Sequence, residues 1–195
     1  MVESRRGSLV AATVPNDADT ILRFWFTDTR PSQWFSKDLA FDALVRDRFQ
    51  AVTDQALAGG LSHWQDNPQG GLALVLLLDQ FPRQIWRDTA KAFAGDAQAL
   101  ALTQRALDRG WVALESEQAR RQFWLLPLMH AEDLAVQDAA LPLFERYTDA
   151  RTSDFARRHR DVIARFGRFP HRNAALGRMS TARELDYIQS PGSGF

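Results

Sequence analysis

Residues 72–78 are Leu, Ala, Leu, Val, Leu, Leu and Leu, and Asp79, Gln80, Phe81 and Pro82 follow at once. Such a run is apolar on every side of a helix and on both faces of a strand. Leu and Ala dominate and Val75 is its one β-branched member, so propensity decides for helix. A helix that is apolar all round has to be surrounded by other elements. The segment is therefore expected as the central buried helix, begun after Gly70 and Gly71 and stopped by Pro82. The rest of the chain has the means to enclose it. Of 195 residues, 45% are hydrophobic, including thirteen Phe and six Trp, and large aromatics dominate core energetics.

Helical patterns flank this run. Asn16 or Asp17 caps a first helix through Ile21, Phe24 and Trp25, which Pro31 breaks. Ser36 caps a long helix from about Lys37 to Ala58, with Leu39, Ala43, Val45, Phe49, Val52 and Ala56 at helical spacing and Gly59 and Gly60 at its end. Thr89 to Arg109 forms the next, closed by Gly110. Ser116 or Glu117 opens a short helix to Trp124. Pro127 suits the first position of another, which runs to about Tyr147 and kinks at Pro142. Ser153 or Asp154 caps a helix from Phe155 to Phe166, ended by Gly167. Thr181 and Glu184 have the spacing of a capping box. The reading is all-α: seven to eight or more helices, joined by short connections into stacked antiparallel hairpins. Residues 1–15 are expected as a flexible N-terminal tail and 16–195 as one all-α domain.

Composition removes several function classes. Cysteine is absent, so disulfides, thiolate metal sites and a cysteine nucleophile are excluded. Twenty-four basic residues balance twenty-four acidic ones, leaving no global field to attract nucleic acid or an anionic membrane. No segment approaches the roughly 18 apolar residues of a membrane span. Arg5 and Arg6 before Leu9–Ala12 resemble an export signal, but Pro15, Asn16 and Asp17 cut the apolar run short. The expectation is a cytoplasmic protein with no nucleic-acid or membrane partner and no cofactor; nothing in the pattern sets an oligomeric state.

The informative residues are polar groups on faces expected to be buried. On the helix after Pro127, Leu126, Met129, His130, Asp133, Leu134, Gln137, Leu141 and Phe144 share one arc. His159 lies in the stripe Phe155, Val162, Ile163 and Phe166. If these consecutive helices pack together, His130, Asp133 and His159 converge. Alternatively each histidine is a core side chain satisfied by a carbonyl or by Asp133. Asp79 falls in the last turn of the most apolar helix, where the dipole disfavours an acid, with Arg83 four residues on and Pro82 between them. It must find hydrogen bonds or a cation. From Arg160 to Asn173 the chain carries Arg160, Arg165, Arg168, His171 and Arg172 with Asp161 as the one acid. This band is either a solvated face or a site for carboxylate or phosphate.

These same residues carry a resemblance. Phe24-Trp25-Phe26, Trp34-Phe35, Leu78 to Arg83, Pro127 to Leu134, His159 to Asp161 and Arg165 to Asn173 resemble the bacterial domain-of-unknown-function family 924, from about Asp19 to Phe195. Gln84 and Ala131 depart from its pattern, standing where Asn and Ser are expected. The resemblance implies an all-α fold similar to tetratricopeptide-type hairpins wound into a right-handed superhelix. It implies no established activity.

Two functional readings follow. The first is a binding module that holds a small anionic ligand or peptide in a polar groove lined by Asp79, Arg83, His130, Asp133, His159, Arg168, His171, Arg172 and Asn173. The second is a metal-independent enzyme acting on a phosphorylated or carboxylated small molecule. His with Asp would serve as its acid–base pair, Arg as its electrostatic partner and water as its nucleophile. His130 and Asp133 one turn apart, with His159, would make a three-ligand metal set, but no His-Glu-x-x-His pattern accompanies them, and no metal is expected.

Overall fold

The computed structural model describes residues 17–190, so the tail expected over residues 1–15 lies outside the described residues. Among these there are eleven α-helices and no strand. Helix α1 (Ala18–Arg23) is capped by Asp17, whose carboxylate accepts the Thr20 N–H at 2.7 Å, and passes into a π turn at Phe24–Asp28. Pro31 then opens the short α2 (Pro31–Trp34). Asp38, not Ser36, caps α3 (Leu39–Leu57) by accepting the N–H groups of Ala40 and Phe41.

The apolar run is the centre of the fold. Every residue from Gly70 to Pro82 is buried. Asn67 caps α4 (Pro68–Val75), which runs through a π turn at Leu76–Gln80 directly into α5 (Phe81–Ile85). Pro82 therefore does not stop this helix. The wide turn pairs the Phe81 N–H with the Leu76 carbonyl five residues back. Pro82 thus falls in the opening turn of the next α-segment, where a missing N–H is tolerated. Asp79 consequently sits inside a continuous helical run, one turn before Arg83.

The helix expected over Thr89–Arg109 is broken as well. A 3₁₀ turn (Ala90–Phe93) precedes α6 (Asp96–Asp108), and between them Gly95 lies hard against the central helix. A Cβ on Gly95 would stand 2.2 Å from the Leu78 carbonyl oxygen. That oxygen lies four residues before Pro82, which has no N–H to donate to it.

Helix α7 (Trp111–Leu114) leads to α8 (Gln118–Met129), which contains Pro127 instead of ending before it. The helix expected from Pro127 to Tyr147 is two. His130 to Asp133 form a link, and Asp133 caps α9 (Leu134–Tyr147) through the N–H groups of Ala135 and Val136. Gln137 fastens the link by donating to the carbonyls of Met129 (2.6 Å) and Ala131 (2.9 Å). Asp149, upstream of Ser153, caps α10 (Ala150–Phe166), and Gly167 closes it in the left-handed conformation. A 3₁₀ turn (Pro170–Arg172) follows, then α11 (Ala182–Gln189), which carries the expected capping box of Thr181 and Glu184.

Helices α8, α9 and α10 pack in succession, and α4 lies against α1, α6 and α8. The main core joins Trp25, Phe49, Phe81, Phe123 and Phe144 to the central leucines. Ring centroids such as those of Phe24 and Phe49 lie 4.6 Å apart, within the range where aromatic pairs add to area burial. A smaller cluster of Val162, Ile163 and Phe169 gathers at the end of α10, with Phe166 and Tyr187 against it. The polar residues singled out above meet between the two.

Candidate functional site

Asp79 is the foundation of the site and is 0% exposed. Its Oδ1 accepts the His130 Nδ1–H at 2.7 Å and lies 3.3 Å from an Arg83 guanidinium nitrogen, while Oδ2 accepts the Gln80 amide. Burial by itself would raise the carboxyl's pKa. Arg83 and the His130 hydrogen bond override it and hold Asp79 ionised well below the usual carboxylate range. The π turn places the acid: it swings the polar pair Asp79–Gln80 towards the end of α8, where His130 is the last helical turn's cap.

Arg83 reaches beyond Asp79. It donates to the Asp79 carbonyl oxygen and to Asp96 Oδ2 at 3.1 Å. Asp96, in the first turn of α6, also accepts from Arg172 at 2.9 Å, so one carboxylate is shared by two guanidinium groups. Arg172 is 6% exposed and is flanked by the rings of Phe93 and Phe169, with centroids 4.7 and 4.6 Å from its central carbon. Its Nε–H is buried without a hydrogen-bond acceptor. Burial first, and the Arg83 charge second, pull Arg172 down to about 10.

Three imidazoles complete the cluster. The rings of His130 and His159 are 6.2 Å apart, that of Phe169 lies 5.6 Å from His159, and His171 stands 5.6 Å from Phe169. His159 donates from Nδ1 to the Phe155 carbonyl at 2.7 Å. Burial, reinforced by His130, pushes it down to about 3. His171 is exposed at the rim of the cluster. Desolvation beside Phe169 and the Arg172 charge push it to about 4. His130 is also lowered, chiefly by burial, against the pull of Asp79. All three are therefore neutral near pH 7. With Nδ1 donating to Asp79, the His130 tautomer leaves Nε2 as the basic nitrogen, on a side chain 15% exposed.

The structure thus brings together Asp79, Arg83, His130, His159, His171 and Arg172, and separates the rest. Asp133 caps α9 at the surface. Arg168 makes a bidentate pair with Glu184 (2.7 and 2.9 Å) and donates to the Met179 carbonyl. Asn173 is buried but tied to Ser180 and Arg178. Two contributors are not visible in the apolar pattern. Asp96 reads as an ordinary first-turn acid. Glu132 reads as pointing away from the helix face, yet it accepts the Phe169 N–H at 2.6 Å and a bidentate pair from Arg178 at 2.6 and 2.9 Å. That clamp holds the segment bearing His171 and Arg172 against the α8–α9 link. Asp96 and Glu132 could have been sought as the partners that buried arginines require.

Two clefts, of about 590 and 330 Å³, lie away from this cluster. One is beside Arg165, Arg168 and Glu184, the other beside Trp64 and Gln69. Among the described residues no group of three or more His, Asp or Glu is placed to hold a metal ion. No described helix is long and apolar enough to cross a membrane.

Residues 21–192 match the family model described as "Bacterial protein of unknown function (DUF924)". No curated protein matches the chain. A solved structure of a protein of unknown function from Agrobacterium tumefaciens is similar, with 41% sequence identity and a TM-score of 0.82. The match covers 88% of this chain and 96% of that one.

Proposed function

The chain belongs to the bacterial DUF924 family of unknown function, and from the site alone we propose that it binds a small molecule carrying a carboxylate or phosphate group. The observation that carries this reading is Arg172, a buried guanidinium whose Nε–H lacks an acceptor. An unmet buried donor of this kind costs about 1–3 kcal/mol, and a ligand oxygen would remove that cost. Three further features support it. Arg172 and Arg83 share Asp96, so two guanidinium groups converge on one carboxylate. Planar guanidinium groups also match carboxylate and phosphate geometry. Phe93 and Phe169 supply apolar flanks that keep the arginine in place and strengthen its field.

The test is a thermal-denaturation series with inorganic phosphate and with acetate, sodium chloride serving as the ionic-strength control. Ligand at about a hundred times its dissociation constant stabilises by roughly 2.7 kcal/mol. That is a rise of several degrees for a chain of this size. The rise is expected in the native protein and absent in Arg172→Gln. Equal rises in both proteins, or none beyond the chloride control, would overturn the reading.

A further inference from the structure

The Asp79–His130 pair has the form of an oriented general base. The carboxylate is sealed from solvent and holds Nδ1–H at 2.7 Å. This fixes the ring and its tautomer, and directs basicity to Nε2. The Arg172 charge acts on the same imidazole, and contacts run unbroken from His130 through Asp79, Arg83 and Asp96 to Arg172. A buried ion pair with a purely structural role needs Asp79 and Arg83 alone. It gives no reason to hold a neutral imidazole by one nitrogen with the other left free to act as a base.

We propose that the anion site is the product-holding half of a catalytic one, in which His130 activates water to hydrolyse small carboxylic esters. This rests on the reading above, because the carboxylate released is the anion that Arg172 holds. In the first step Nε2 of His130 takes a proton from water as the water oxygen bonds to the ester carbonyl carbon. The carbonyl π electrons move to oxygen, and the developing oxyanion takes the Arg172 Nε–H as its donor. In the second step the carbonyl re-forms, the bond to the alkoxy oxygen breaks, and Nε2–H returns its proton to the departing alkoxide. Ester and water become carboxylic acid and alcohol, the acid then gives its proton to solvent and leaves the carboxylate, and no oxidant or metal enters the balance. Asp79 keeps its charge throughout and is a positioning residue: it stabilises the imidazolium formed between the steps.

The experiment measures p-nitrophenyl acetate hydrolysis and acetate binding on the same preparations of native protein, His130→Gln, Asp79→Asn and Arg172→Gln. Removing a general base costs roughly a hundredfold or more. His130→Gln is therefore expected to lower kcat/KM by at least that factor while still binding acetate. The native rate should hold at neutral pH and fall on acidification as Nε2 protonates. Asp79→Asn should lower kcat and alter that profile, which a merely structural role would not. Should Asp79→Asn fail to fold, carbethoxylation of the native protein replaces it. One modification, on His130, should abolish turnover, and acetate should protect against it. Native hydrolysis no faster than buffer, or hydrolysis unchanged in His130→Gln, overturns the inference. If acetate still binds in either case, the anion site stands without catalysis; if acetate binding is also missing, both readings fall.

Discussion

Acid should weaken this protein before its carboxylates begin to protonate, and His159 allows the size of the effect to be worked out. The side chain is 7% exposed and donates to the Phe155 carbonyl. Burial lowers its pKa from 6.5 in the free residue to about 3. Between those values the unfolded chain binds a proton that the folded chain refuses, so stability rises with pH across the window. It is complete above the unfolded value and is lost as pH falls below it. At about 1.36 kcal/mol per pH unit, His159 alone removes roughly 2 kcal/mol between about pH 7 and pH 5. His130, lowered in the same direction, adds to the loss. His171 adds less, because it is exposed and water screens it. The assay is urea denaturation followed by tryptophan fluorescence, for which the buried Trp25 and Trp124 serve as reporters. His159→Gln keeps an amide donor for the Phe155 carbonyl but cannot titrate. Native protein should lose about 2 kcal/mol more than this variant over that pH interval. Equal losses in the two proteins would refute the argument, since the unfavourable protonation would then lie elsewhere.

Two other outcomes follow from the packing. Gly95→Ala forces a Cβ to within 2.2 Å of a backbone oxygen on the central helix. Its melting temperature should fall by roughly 6–12 °C, about 3 kcal/mol for a chain of this length, and a fall of under about 2 °C would show that the two segments part easily. Glu132→Ala removes the acceptor of the Phe169 N–H. Loss of a hydrogen bond to a charged group, about 1.5–3 kcal/mol, should speed exchange of that amide by roughly ten- to a hundredfold, whereas unchanged exchange would mean that Arg178 and Glu132 do not hold the segment.

The all-helical class was legible because residues 72–78 permit no other economical arrangement, and the buried helix lies where their composition puts it. The ends of helices were less legible. Pro82 and Pro127 both read as boundaries and both lie within helical runs. The π turn before Pro82 is a backbone rearrangement that side-chain spacing does not encode, while Pro127 stands only two residues from the end of α8. Treating His130 and Asp133 as one helical face failed for the same reason: Asp133 begins the next helix. Asp79, His130 and His159 stood out because each polar group occupies a place where apolar neighbours predominate, Arg83 because it follows Asp79 by four residues, and Arg172 because it lies in a local basic band. Their partners Asp96 and Glu132 did not, since a carboxylate in a first turn or beside a helix end looks ordinary until the distant arginine that needs it is brought near. Arg172 and Asp96 are 76 positions apart, and local patterning carries no trace of that pairing.

The wide turn at Leu76–Gln80 also has a consequence for how this chain can vary in length. It holds one residue more per turn than the helix on either side, so it acts as an insertion carried in the middle of the molecule. Deleting a single residue there would restore ordinary α geometry and leave the helix intact. Four α residues at about 100° each cover about 400°, nearly what the five residues of the wide turn cover, so the helix downstream would keep its orientation. Relatives with and without that residue can therefore share the same packing on either side of it, and the side chains inside the turn, Asp79 and Gln80 among them, are the ones that would change direction.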